Sequence, residues 1–333
     1  MKIVQLLLSF LVLLVISVAY RLDFDNIKQS HPLAIDINAT GGYNYAIDIC
    51  RDKQIKSNRD SRDLIAQGLR LLTEYQARRI RFVPTKKFCQ AIKLDSNNAQ
   101  AYIGLGYSLS LLGEASGSRF PFEGAQAAYR KAIDINPQSI LAYKALASVL
   151  DDIENGNEKY YVYRKLSELN PKDASAYIGL GDTVGSSFDT ISFNEQSSKS
   201  EAYYNQAIAL DPKNIRPYLS LCVSQIFSIS KYQDKVISAC RKAVEIAPKN
   251  SVAYIGLGNS LLYVDTEKAT TAYRQAIALD SPSYLAYFAY LGLGQALSRL
   301  NKFDQAEANY RQAIKIYPSD RLTYELEFGL ICI

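Results

Sequence analysis

The sequence predicts an all-α chain of stacked helix–turn–helix repeats, and three observations carry that expectation. The word Ala101-Tyr102-Ile103-Gly104-Leu105-Gly106 returns letter for letter at 176–181 and 253–258, with a near copy at 289–294. A second word, Ala-x3-Tyr-x2-Ala, recurs as Ala125/Tyr129/Ala132, Ala269/Tyr273/Ala276 and Ala306/Tyr310/Ala313. A proline then closes the unit at Pro137, Pro171, Pro212, Pro248 and Pro318. Self-similarity at a near-fixed period identifies a repeat architecture.

Each word is one face of a helix. Tyr102, Leu105, Gly106 and Leu109 stand at i, i+3, i+4 and i+7, so they share a stripe. The second word has the same logic, and the proline follows where a helix must stop. Gly106 and Ala132 are small where the two helices of a unit cross closely. The landmark tyrosines at 102, 143, 177, 218, 254 and 290 are 41, 34, 41, 36 and 36 residues apart. Most gaps from the closing slot to the next landmark are six residues, so the slack falls inside the units.

These residues resemble the tetratricopeptide repeat family, whose pattern is Trp-x2-Leu-Gly-x2-Tyr, then Ala-x3-Phe, then Pro, on a period of about 34 residues. Tyrosine fills the Trp slot throughout. Leu105-Gly106, Leu180-Gly181, Leu257-Gly258 and Leu293-Gly294 supply the Leu-Gly pair, with Leu146-Ala147 and Leu221-Cys222 as variants. The resemblance covers residues 99–333 and implies a right-handed α-solenoid. It has about six clear units, a degenerate first unit at 61–98 and a C-terminal capping helix that begins near Tyr324. In the degenerate unit, Leu64, Ile65, Gly68, Leu71 and Leu72 keep helical spacing, and Phe88 and Ala91 match the second word. Terminal repeats are atypical because one face has no neighbour.

Ahead of the repeats, residues 3–20 form an apolar run without a charge. At ~1.5 Å per residue it reaches roughly 27 Å, enough to cross a bilayer. One reading is an uncleaved anchor, which leaves a single-pass protein with its repeats extracytoplasmic. The other is a signal peptide cut near Ala19, where Ser17-Val18-Ala19 offers small residues, and a secreted, periplasmic or lumenal product. Residues 21–60 are polar and irregular and read as a spacer. Net charge is +5, but residues 51–93 alone hold twelve Lys/Arg against four Asp/Glu. That stretch is either a solvated face or a contact for anionic lipid or an acidic partner. Nucleic acid is not expected for an exported chain. Units one and three carry seven extra residues between their helices, and these are expected to form loops whose Phe120 and Phe122, and Phe188 and Phe193, either stand at one edge or tuck back onto their own repeats.

Chemistry has little to stand on. The single histidine, His31, lies in the spacer, and no Cys-x2-Cys, His-Glu-x2-His, phosphate-loop or nucleophile-elbow pattern appears. No metal site or cofactor is expected, and the chain is not expected to be an enzyme. The family resemblance implies instead a groove lined by the first helices, at residues one and five after each landmark. Those are Ile103/Tyr107, Lys144/Ser148, Ile178/Asp182, Leu219/Val223, Ile255/Asn259 and Leu291/Gln295. The one-after residue is apolar in five of six units, which suits an apolar or helical peptide segment of a protein partner. Lys144 and Asn259 alone match the type of residue with which family members clamp a terminal aspartate. The function expected is a protein–protein interaction scaffold, with an accessory or regulatory subunit of a membrane-bound enzyme complex and a secreted soluble repeat protein as alternatives. Finally, Cys222 takes the glycine slot of Leu-Gly and Cys240 the aromatic slot of the second word. Both face the interface inside one unit, so they are either a disulfide or two small buried residues.

Overall fold

The computed structural model describes residues 60–78, 83–116, 119–150, 156–184, 193–224, 233–280 and 284–318. Residues 3–20, the spacer, Phe188 and the expected capping helix lie outside them. The described residues hold fourteen α-helices in two compact units, divided between residues 190 and 191. The first unit runs α1 (Ser61–Arg78), α2 (Val83–Leu94), α3 (Ala99–Ser116), α4 (Phe120–Ile135), α5 (Ile140–Val149), α6 (Gly156–Leu169) and α7 (Ala174–Thr183). The second runs α8 (Phe193–Leu210), α9 (Ile215–Ser224), α10 (Gln233–Ile246), α11 (Ser251–Leu261), α12 (Thr266–Leu279), α13 (Tyr284–Arg299) and α14 (Phe303–Ile316). The division falls inside the third clear repeat, at its seven-residue insert.

Within each unit every helix packs on the next in sequence, and first helices of successive repeats also touch, as α3 does α5 and α11 does α13. The core is a row of the two words. Tyr129, Tyr273 and Tyr310 are among its largest buried side chains, beside fully buried alanines such as Ala132, Ala276 and Ala313. Ion pairs join successive second helices. Arg130 on α4 grips Glu158 on α6 with two hydrogen bonds of 2.7 Å, and Lys235 on α10 meets Glu201 on α8 at 2.7 Å. Both pairs are partly exposed and add little stability.

The turn between repeats is built the same way five times. The residue before the closing slot accepts a hydrogen bond three residues on: Asn98 N–H to Asp95, Ser139 to Asn136, Asp173 to Asn170, Asn214 to Asp211 and Asn250 to Ala247, all within 3.0–3.4 Å. In the last four the proline is second in that turn, where its fixed φ suits the geometry. It also pushes the preceding residue out of the helical region. Asn136, at φ −132° and ψ 88°, ends α4 in this way, and Tyr317, at φ −134° and ψ 83°, ends α14. The next helix then starts on a polar cap. Ser139 accepts from Ala142 N–H, Asp173 from Ser175 N–H and Asn250 from Ala253 N–H. The six-residue step from proline to landmark tyrosine is matched in two repeats by a hydrogen bond across it. The hydroxyls of Tyr177 and Tyr218 donate to the carbonyls of Pro171 and Pro212 at 3.3 Å.

The first insert departs from expectation. Instead of a loop it lengthens helices: α3 runs to Ser116 and α4 starts at Phe120, with Pro121 in its first turn. Phe120 is partly exposed, whereas Phe122 packs back on the core of its own unit. In the second insert Phe193 opens α8, and its side chain lies outside the described set.

Candidate functional site on the first helices

The expected groove residues separate into two groups. Ile178, Ile255 and Leu291, all one after a landmark, are only 2, 1 and 2% exposed. Leu219 and Val223 are buried too, so the expected apolar strip is core and not surface. Ile255 and Leu291 lie on α11 and α13, first helices that touch each other. Ile103 is half-buried and packs against the core of the first unit. Lys144 is exposed, and Tyr107, Asp182, Asn259 and Gln295 are half-buried. The positions that remain accessible are therefore mainly polar or aromatic, with Ile103 apolar among them.

What brings the first helices so near is a ring between two glycines. Tyr273 on α12 faces Gly258 of its own repeat and Gly292 of the next: a Cβ at either would lie 2.6 or 2.4 Å from the ring. Phe88 on α2 sits likewise between Gly68 and Gly104. The two glycines of Ile-Gly-Leu-Gly thus serve two different rings, one from the same repeat and one from the repeat before.

Two polar contacts shape the accessible face. The buried Tyr273 hydroxyl donates to Asn259 Oδ1 at 2.7 Å, and burial raises its phenol pKa far above the ordinary value. That bond fixes the Asn259 amide and turns its N–H donors away from Tyr273. In the first unit, Lys144 Nζ reaches Asp173 Oδ2 at 2.5 Å, an ion pair without the alignment of a hydrogen bond. Burial pushes the Asp173 carboxyl up, but Lys144, the Ser175 hydroxyl and the Ser175 N–H together hold its pKa below the ordinary value. Lys144 is thus committed to the cap of α7 and is not a free clamp for a carboxylate. Sequence reasoning missed this partner, although Asp173 at the start of a helix was the signal for it.

Cys222 and Cys240 form a disulfide, with Sγ–Sγ 2.00 Å and Cα–Cα 4.9 Å. Cys89 is disulfide-bonded as well. No group of three or more His, Cys, Asp or Glu among the described residues is placed to hold a metal ion. Among them, too, no helix is long and apolar enough to cross a membrane.

A model of the tetratricopeptide repeat matches residues 287–320. Over 104 residues the chain is 33% identical to Protein CTR9 homolog from Arabidopsis thaliana, a match covering 30% of this chain and 9% of that protein. Over 230 residues it is 24% identical to Protein O-mannosyl-transferase TMTC1 from Homo sapiens, covering 68% of this chain and 24% of that protein. The chain thus matches less than a quarter of either relative's length. Among solved structures it is similar to a tetratricopeptide repeat protein from Parabacteroides merdae, with TM-score 0.55 and 13% identity over 81% of this chain and 98% of that one. The fold is a tetratricopeptide α-solenoid, a class that generally mediates protein–protein interaction and complex assembly.

Proposed function

We propose that this protein is a non-catalytic interaction scaffold that takes a partner segment along the first helices, on the outer side of a membrane entered by residues 3–20. The observation that carries the binding part is the Asn259 amide. Tyr273 holds its oxygen, so its N–H donors are set in advance for an acceptor such as a peptide carbonyl. Gln295 stands at the same register one repeat on and extends that polar row. The partner is accordingly read by polar contacts, and the buried Ile255 and Leu291 act by keeping the helices close. Two disulfides support the location, because such bonds persist in oxidising compartments.

The test is capture of partners by the tagged full-length chain and by an Asn259→Asp variant. The aspartate keeps an oxygen for Tyr273 and removes the donors. Loss of the captured partner with an unchanged melting temperature is expected, whereas undiminished capture by the folded variant removes Asn259 from the site. Many transient clients in the wild-type capture fit an assembly scaffold, and one stoichiometric complex fits an accessory subunit. A phosphatase reporter that needs its own disulfides, fused after Ile333, is expected to be active, and a full-length but inactive fusion would overturn the location.

A further inference from the structure

We propose that the Cys222–Cys240 bond is made by exchange with an external disulfide before α11 docks, and that docking then seals it. The inference goes beyond the scaffold reading and does not depend on any partner. Both cysteines are 0% exposed. They occupy the place that a ring fills in other repeats, and Val236 and Leu257 close around them. The decisive neighbour is Gly256 on α11. A Cβ there would lie 2.4 Å from Cys222 Sγ and 3.8 Å from Cys240 Sγ, so the backbone of α11 stands directly on the sulfurs.

Thiol–disulfide exchange needs a thiolate to attack a disulfide sulfur through a mixed disulfide. A third sulfur must therefore reach the pair, and with α11 in place there is no room for one. The chemistry is balanced as follows. One cysteine thiolate attacks the oxidant's disulfide, forms a mixed disulfide and expels one thiolate. The second cysteine, deprotonated, attacks the sulfur of the first and expels the oxidant's other thiolate. Two electrons pass from the cysteine pair to the oxidant, which leaves as thiols carrying the two protons. The oxidant is a disulfide, either a small molecule or an exchange protein.

Topology permits this order. Cys222 on α9 and Cys240 on α10 are 18 residues apart, and these two helices touch each other directly. They also precede α11 in the chain, and chains fold from the N-terminus as they emerge. The same geometry works in reverse, so the native bond can be reduced only when α11 lifts.

The experiment follows reduction of the oxidised full-length protein by dithiothreitol, with alkylation and peptide mass analysis, in native buffer and in unfolding urea. Native reduction is expected to be at least ~100-fold slower than in urea, as for an exchange that waits on local opening. It should also stop rising with dithiothreitol once opening limits it. A native rate within a few-fold of the unfolded rate, rising linearly with reductant, would overturn the proposal. So would free thiols at both positions in the purified protein, a result that leaves the Asn259 reading untouched.

Discussion

Tyr273 is held by backbone from two repeats. Gly258 and Gly292 both come closest to its Cε1 atom, and the ring is fully buried. A methyl group at either glycine must displace either the ring or a helix, and a close-packed interior offers neither cheaply. Gly258→Ala and Gly292→Ala should each destabilise the protein by ~1–3 kcal/mol. Tyr273→Phe keeps the ring and loses the hydroxyl, so it should cost only ~1 kcal/mol. Urea melts of the three variants check this. The glycine changes matching or falling below the Tyr273→Phe loss would show that the ring has room to move.

At the scale of elements, the inter-repeat turn does most of the positioning. Its proline stops one helix, its hydrogen bond closes the corner and its polar residue starts the next helix. Asp173 adds a charge to that role, since it caps α7 and also meets Lys144 on α5. Its carboxyl is depressed on folding, so the folded form binds the proton less readily than the unfolded one. The stability it contributes is therefore present above its ordinary pKa, near 4, and is lost as pH falls through the lower native pKa. Asp173→Asn keeps a side chain able to cap and removes the ion pair. The variant should be less stable than wild type at pH 7 and should converge on it near pH 2. Urea midpoints at the two pH values measure this, and a gap of equal size at both would assign the loss to something other than charge.

For the molecule as a whole, the Cys222–Cys240 repeat carries a covalent bond at the place where Tyr129, Tyr273 and Tyr310 sit in theirs. The loop between Cys222 and Cys240 is one for which chain entropy gives about 3 kcal/mol. Cys222→Ser and Cys240→Ser should each cost the oxidised protein roughly that amount. The double change should cost no more than about the same, because the bond is lost once. Thermal or urea melts under oxidising conditions test this, and an additive double variant would deny that the two residues act as a pair.

The sequence by itself determined the architecture, because each helix is spelled by a local word and each turn by its proline. Helix faces, repeat count and the ends of the turns follow from spacings of three, four and six residues, which act within one or two turns of chain. It also singled out Cys222 and Cys240, since both break the word at facing slots. Only the tertiary structure decided which groove residues reach the surface. Ile255 and Asn259 are four residues apart on one helix, yet one is buried and the other is half-exposed. That difference depends on how closely the neighbouring helix approaches, and the approach is set by Tyr273 lodged between Gly258 and Gly292. The commitment of Lys144 to Asp173 was hidden for the same reason. Its partner lies one repeat away, and the distance between repeats is a property of packing, not of spacing along the chain.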